Sequence, residues 1–407
     1  MTAVVTAPPQ VRAATRAVYL AFILMGFAGA SWAARIPQVR DQLGLTPSRL
    51  GLVLLAIAAG SIVSLVLAGQ IVAHFGSRRT VTAMAALLGV SLSATAVGYQ
   101  FGVLPVVIGL FFYGFANGAW DVAMNVQGAI VERRLGKAIM PRFHAGYSVG
   151  TVAGALVGAA VVALDLSVTV HLLVAAILVA LVVMFAVRTF VPDDATDPKE
   201  NQPVPIDPAH AAPPASRLGR TLATWREPRT ILIGFFVLAF AFTEGAGIDW
   251  ISVAMIDGYG VDATIGTLAF AAFLAAMTIG RWFGPGWLDR YGRVPVVRAL
   301  AVVSILGLAL FVFGPVPAVA FLGVLLWGLG ASLGFPVGMS AAADDPAHAA
   351  PRVSVVATIG YCAFLGGPPL VGFLGDHVTV LKALLAVVGL LGIAVALAGS
   401  VRPLQKH

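Results

Sequence analysis

The 407-residue chain is poor in charge, cysteine and asparagine. Asp, Glu, Lys and Arg make up 11% of it, against about 25% in soluble domains. That is too little charge to cover a water-facing surface of this size, which excludes a soluble enzyme, a disordered chain and a coiled coil. The single cysteine, Cys362, excludes a disulfide-stapled secreted scaffold. No GxxxxGK[ST], HExxH or CxxC string occurs. Nothing in the sequence asks for a metal or a cofactor, and there is no soluble domain to hold an enzyme site. Of three asparagines, two, Asn117 and Asn125, fall within a single apolar run.

What is present is apolar: 59% of residues are hydrophobic and 45 are glycine, a small residue favoured where membrane helices pack closely. A membrane crossing needs about 20 mostly apolar residues. Twelve segments qualify, at 17–36, 50–72, 80–99, 104–131, 142–164, 167–187, 230–256, 263–288, 294–313, 316–340, 353–374 and 378–400. Dense spans with short connections do not fit the alternation of a β-barrel. Residues 188–229 interrupt the rhythm with eight prolines, six acids and six basic residues, and read as a polar linker. The expected fold is an all-α membrane protein of 12 transmembrane helices in two pseudo-symmetric six-helix bundles. The N-terminal bundle is 1–187, the linker is 188–229 and the C-terminal bundle is 230–407.

The net charge of +7 encodes topology rather than nucleic-acid binding. With the N-terminus inside, 20 of the 25 Lys and Arg residues fall in inner loops and tails. Only Arg35, Arg40, Arg49 and Lys382 fall toward the outside. By the positive-inside bias both termini are cytoplasmic in a multi-pass plasma-membrane protein.

The halves repeat at a slowly drifting offset. Trp32 matches Trp250, and Tyr113-Gly114 matches Trp327-Gly328. Ala73-His74-Phe75-Gly76-Ser77-Arg78 matches Asp289-Arg290-Tyr291-Gly292-Arg293-Val294, 216 residues on. Two six-span halves repeated in parallel place a site at their interface, near the bilayer midplane.

With the basic turn after span two (Gly69 to Arg79) and its counterpart Asp289-Arg290-Tyr291-Gly292-Arg293, the chain resembles the major facilitator superfamily of secondary transporters. The acid usual in that motif is replaced by Ala73 in the first copy. Asp289 is present in the second, where Pro285 replaces the usual glycine. The resemblance implies a gate at these turns, formed in the second by Asp289, Arg290 and Arg293, and a monomer. The strings Trp32-Ala33-Ala34-Arg35-Ile36-Pro37, Trp120 to Gly128 and Met140 to Gly146 resemble a bacterial inner-membrane branch near the fucose-permease-like porters.

Asn117, Asp121 and Asn125 are spaced by four and share one helical face. An ionisable residue in mid-span is costly, so Asp121 either lines a cavity or belongs to a polar seam between helices. Glu244 lies mid-span in the other half, followed by Gly245 and Gly247, which favour a bent or broken helix. A carboxylate in a low dielectric has a raised pKa and can load a proton near neutral pH. Asp121 and Glu244 are therefore the candidate proton-coupling residues; the alternative for Glu244 is a pairing that only orders the helix. Arg281 is expected to snorkel inward beside Asp289. Arg35 and Asp249, in equivalent spans, are either an outer-gate ion pair or two snorkelling charges. Trp32, Tyr147 and Tyr361 are candidates to stack on a substrate or to serve as packing and interfacial anchors. Gly150, Gly154 and Gly158 lie four apart and permit close helix approach.

The function expected is a secondary active transporter of a small polar organic solute, working with protons in a lipid bilayer by alternating access. Symport remains open beside proton-driven efflux of a hydrophobic or amphipathic compound. A non-transporting receptor or scaffold on the same fold is the other class.

Overall fold

The computed structural model describes residues 8–193, 223–345 and 348–404. Most of the expected polar linker, residues 194–222, lies outside that set. Among the described residues there are helices and short turns, and no strand. The helices are α1 (Pro9–Ala33), α2 (Ile36–Gln42), α3 (Pro47–Gly98), α4 (Val103–Leu135), α5 (Met140–Ala163), α6 (Val168–Ala186) and α7 (Pro228–Tyr259). They continue with α8 (Ala263–Tyr291), α9 (Arg293–Phe313), α10 (Pro317–Ala331), α11 (Gly334–Ala342), α12 (Ala349–Val378), α13 (Val380–Ala383) and α14 (Leu385–Leu397).

Among the described residues, 11 helical stretches are long and apolar enough to cross a membrane. One of them is two crossings. The 52 residues of α3 would run about 78 Å if straight, more than twice a ~30 Å hydrocarbon core. The chain turns back at Gly76, whose φ of 78° and ψ of 159° break the helix. The total is the expected twelve. In chain order α1 with α2 is span one, the arms of α3 are spans two and three, and α4 to α9 are spans four to nine. α10 with α11 is span ten, α12 is span eleven, and α13 with α14 is span twelve.

The repeat is written in the backbone. Gly292, aligned with Gly76 by sequence, turns span eight into span nine with φ 80° and ψ 165°. Positive φ is a region that glycine enters without steric cost. Local signals start and stop the other helices. Proline stands in the first turn of α1, α3, α7 and α10, where its missing N–H has no partner to lose. The Asp262 carboxylate accepts from the Ile265 N–H at 2.9 Å and caps α8. Span five packs on span one through its glycines: a Cβ on Gly150 would meet the Ile23 carbonyl oxygen, and one on Gly154 would lie 2.5 Å from that of Phe27. The expected break at Gly245 and Gly247 does not form. α7 is one continuous helix, and Gly247 instead makes room for the Phe273 ring, which a Cβ there would strike.

The halves meet along spans two and eleven and along spans five and eight. A Cβ on Gly51 would collide with the Pro368 carbonyl oxygen. Side-chain bonds between the halves cluster at the end of the bundle away from both chain termini. There Arg40 grips Asp257 at 2.5 and 3.0 Å, the Ser48 N–H reaches Asp376 at 3.3 Å, and the Ser48 hydroxyl reaches the Gly372 carbonyl at 3.4 Å. At the terminal end the polar clusters stay within one half. Asp193 accepts from the Ser77 N–H and hydroxyl at 2.5 Å each, and the Gln127 amide donates to Asp193 and Ser77 at 3.0 Å each. Asp344 binds both Arg229 and Arg293, and Arg352 makes a two-pronged contact with Glu227. Among the described residues, the side-chain bonds that join the halves are thus at the far end.

Candidate functional site

A cavity of about 330 Å³ lies between the halves. Asn117 and Asp121 reach it from span four, Tyr147 from span five, Asp249 from span seven, and Tyr361, Phe364 and Pro368 from span eleven. Ser354 and Thr358 continue the Tyr361–Pro368 stripe of α12 toward the terminal end, and both are exposed. The bonds between the halves lie at the opposite end, where Arg40 grips Asp257, two helical turns beyond Asp249 on span seven.

The helical spacing on span four explains its two-sidedness. Asn117 and Asp121 face the cavity, while Trp120, Ala123 and Gln127 are fully buried and absent from its wall. The Asn125 amide donates to the Asp121 backbone carbonyl at 2.8 Å and to its carboxylate at 3.2 Å. Asn125 thus holds Asp121 rather than presenting itself to the cavity. Asp121 has no cationic partner among the described residues. Tyr147 lies within electrostatic range of Asp121, Glu244 and Arg281, and Tyr361 within range of Asp121.

Several sequence expectations need correction. Glu244 is ion-paired with Arg281 at 2.7 Å and is not part of the cavity wall; Arg281 also donates to the Ser332 carbonyl at 3.3 Å. Arg281 does not reach Asp289, because eight residues are about 12 Å along a helix and about 80° around it. Arg35 and Asp249 do not pair. Arg35 is buried within its own half, donating to His171 Nδ1 at 3.0 Å and to the Leu166 carbonyl at 2.9 Å. The turn between α1 and α2 aims Arg40 across the interface instead, and its partner Asp257 is two helical turns beyond Asp249. Asp249 is left in the cavity wall without a hydrogen-bond or ion-pair partner among the described residues. Trp32 is packed in the core at 4% exposure, away from the cavity. Asp289 is exposed without an ion pair among the described residues, Arg290 lies over the Tyr291 ring at 5.2 Å, and Arg293 pairs with Asp344 at 2.8 Å.

Other residues escaped the sequence reading. Asp193 stands in for the acid missing at Ala73: it caps the first turn of span three, where a negative charge also meets the positive helix end. Glu132 accepts from the N–H groups of Ile139 and Met140 at 2.6 and 2.7 Å and so caps span five. Arg352, with help from the Thr230 hydroxyl, holds the Glu227 carboxyl well below its usual range, at about 2. Gln127 was the one visible clue, an amide inside an apolar run.

A model of the Major Facilitator Superfamily matches residues 18–367. An uncharacterized MFS-type transporter of Yersinia pestis is 29% identical over 360 residues, 88% of each chain. Among solved structures, a point mutant of the nucleoside transporter NupG is similar with a TM-score of 0.75 at 15% identity, over 96% of this chain and 98% of that one. A D-xylose-proton symporter is similar with a TM-score of 0.70 at 15% identity, over 96% and 97% of the two chains. A family match over most of the chain, twelve crossings and a cavity between two six-helix halves agree: this is a multi-pass membrane transporter, and the chain belongs to the Major Facilitator Superfamily.

Proposed function

We propose that the protein moves a small polar organic solute across the plasma membrane by alternating access, coupled to protons through Asp121. The observation that carries this reading is a carboxylate in the wall of an inter-half cavity that has no cationic partner among the described residues. An ionised carboxylate at that depth is costly, so a proton or a solute group must occupy it before the cavity can close on both sides. Asn117, Tyr147 and Tyr361 supply the hydrogen-bonding groups that read the solute. Glu244 serves the site through Arg281, to which its Oε2 is ion-paired at 2.7 Å. The bundles 1–187 and 230–407 rock against each other about the cavity, tethered by 188–229. The basic residues gathered at the terminal end support cytoplasmic termini, which makes this conformation inward-facing. That a similarly folded protein is a D-xylose-proton symporter agrees with proton coupling.

Proteoliposomes under an imposed pH gradient, offered a panel of sugars, amino acids and cationic dyes, test the reading. At least one solute should move faster with the gradient, and Asp121→Asn should abolish that acceleration. Unchanged proton-linked flux of an identified solute in Asp121→Asn removes Asp121 from the mechanism.

A further inference from the structure

The charge of the cavity wall is unbalanced. Glu244 and Arg281, both within electrostatic range of the wall residue Tyr147, are paired with each other. Asp121 and Asp249, one from each half, both line the cavity, and among the described residues no Lys, Arg or His does. Tyr147 and Tyr361 face Asp121 from spans five and eleven, and Asn125 bonds it from its own helix. Among the described residues no charged side chain interacts with Asp249. The rest of the wall is largely apolar, with Leu54, Ile57 and Phe364 beside the two tyrosines.

This wall fits one chemistry better than others. Two carboxylates without a cationic partner among the described residues call for positive charge, and aromatic faces attract cations as well. The apolar remainder suits a hydrocarbon body, and the volume suits a small molecule. A neutral solute would leave both carboxylates needing protons at every stage. A cation would take the same oxygens that the protons hold, so that the two compete for one site. We propose that the cavity takes a small organic cation, an amine or quaternary ammonium, in exchange for the protons of Asp121 and Asp249. This rests on the reading of the cavity as the solute site and Asp121 as a proton site, and it adds the class of solute, the direction of coupling and a role for Asp249. Each carboxylic acid gives up its proton to water as the cation arrives, and the proton returns as the cation leaves.

The test is equilibrium binding of radiolabelled benzyltrimethylammonium and tetraethylammonium to the purified full-length protein, with a pH dye in weakly buffered solution. Binding should strengthen as pH rises and release protons. The neutral carbon isostere of benzyltrimethylammonium should not compete. Asp121→Asn and Asp249→Asn should each weaken binding about tenfold or more, the scale of one charge-assisted contact, and release fewer protons. Proton release by the unaltered protein needs no variant, so misfolding of either one leaves the idea testable. Binding of neither cation, equal competition by the neutral isostere, or full affinity in a folded Asp249→Asn overturns the proposal. If a neutral solute shows proton-linked flux that Asp121→Asn abolishes while neither cation binds, the transport reading stands and this one falls. If proton-linked flux survives Asp121→Asn, the transport reading itself fails.

Discussion

Arg281 and Glu244 show what a single pair does in mid-membrane. At 2.7 Å, and with side chains 27% and 18% exposed, each makes the other tolerable in a poor solvent for charge. Removing one partner strands the other. Arg281→Met should cost on the order of 3 kcal/mol, and the double variant Glu244→Gln/Arg281→Met should recover most of it, measured as thermal unfolding in detergent. A double variant as unstable as the single one would mean that the pair is not what stabilises this depth. Glu227 makes a pH-dependent case outside the membrane. Its carboxyl sits at about 2 in the folded protein against an ordinary 4.5, so the folded state binds its proton less readily than the unfolded state. The stability contributed by Arg352 is complete above about 4.5 and lost as pH falls toward 2. The melting temperature should fall through that window, and fall less in Glu227→Gln.

At the scale of elements, hydropathy sufficed to place the spans because a ~30 Å core demands long apolar runs. The paired turns were readable too, since Gly76 and Gly292 sit in matching strings and share one backbone geometry. The contacts that close the far end were not. Whether Arg35 or Arg40 crosses between the halves depends on the short helix α2 and on His171, which is 136 residues from Arg35 in the chain. Asp193 meets Ser77 over a separation of 116 residues, and no local pattern marks such a pairing. Intramembrane charge pointed to the right helices but not to the right partners: Asp121 reaches the cavity, Glu244 does not, and Asp249 does so in place of its expected gate role. The Arg40–Asp257 contact is modest because Asp257 is 40% exposed. Such a pair is worth at most about 1 kcal/mol, or about a fivefold shift between conformations. Asp257→Asn should therefore speed labelling of a Leu54→Cys probe by a membrane-impermeant maleimide on the far side by no more than that, in a Cys362→Ser background. Labelling slower than in the parent would reverse the assigned role of the contact.

The whole molecule is a repeat whose halves have diverged in how they brace themselves. The N-terminal half ties its inner turn with Asp193, an acid from beyond span six. The C-terminal half ties its own with Asp344, which binds Arg229 and Arg293. Neither brace crosses to the other half, so each bundle can move as a body. Spans two and eleven, packed backbone to backbone at the far end, are the surface that must part when the cavity opens there. A Cβ on Gly375 would lie 3.0 Å from that of Pro47, close to the roughly 3.8 Å of a disulfide. The most direct test of alternating access is therefore Pro47→Cys/Gly375→Cys in a Cys362→Ser background, assayed in proteoliposomes with a solute identified from the panel. Oxidised, the far end should stay shut and net flux should stop; reduction should restore it. Undiminished flux through the cross-linked protein would contradict the account.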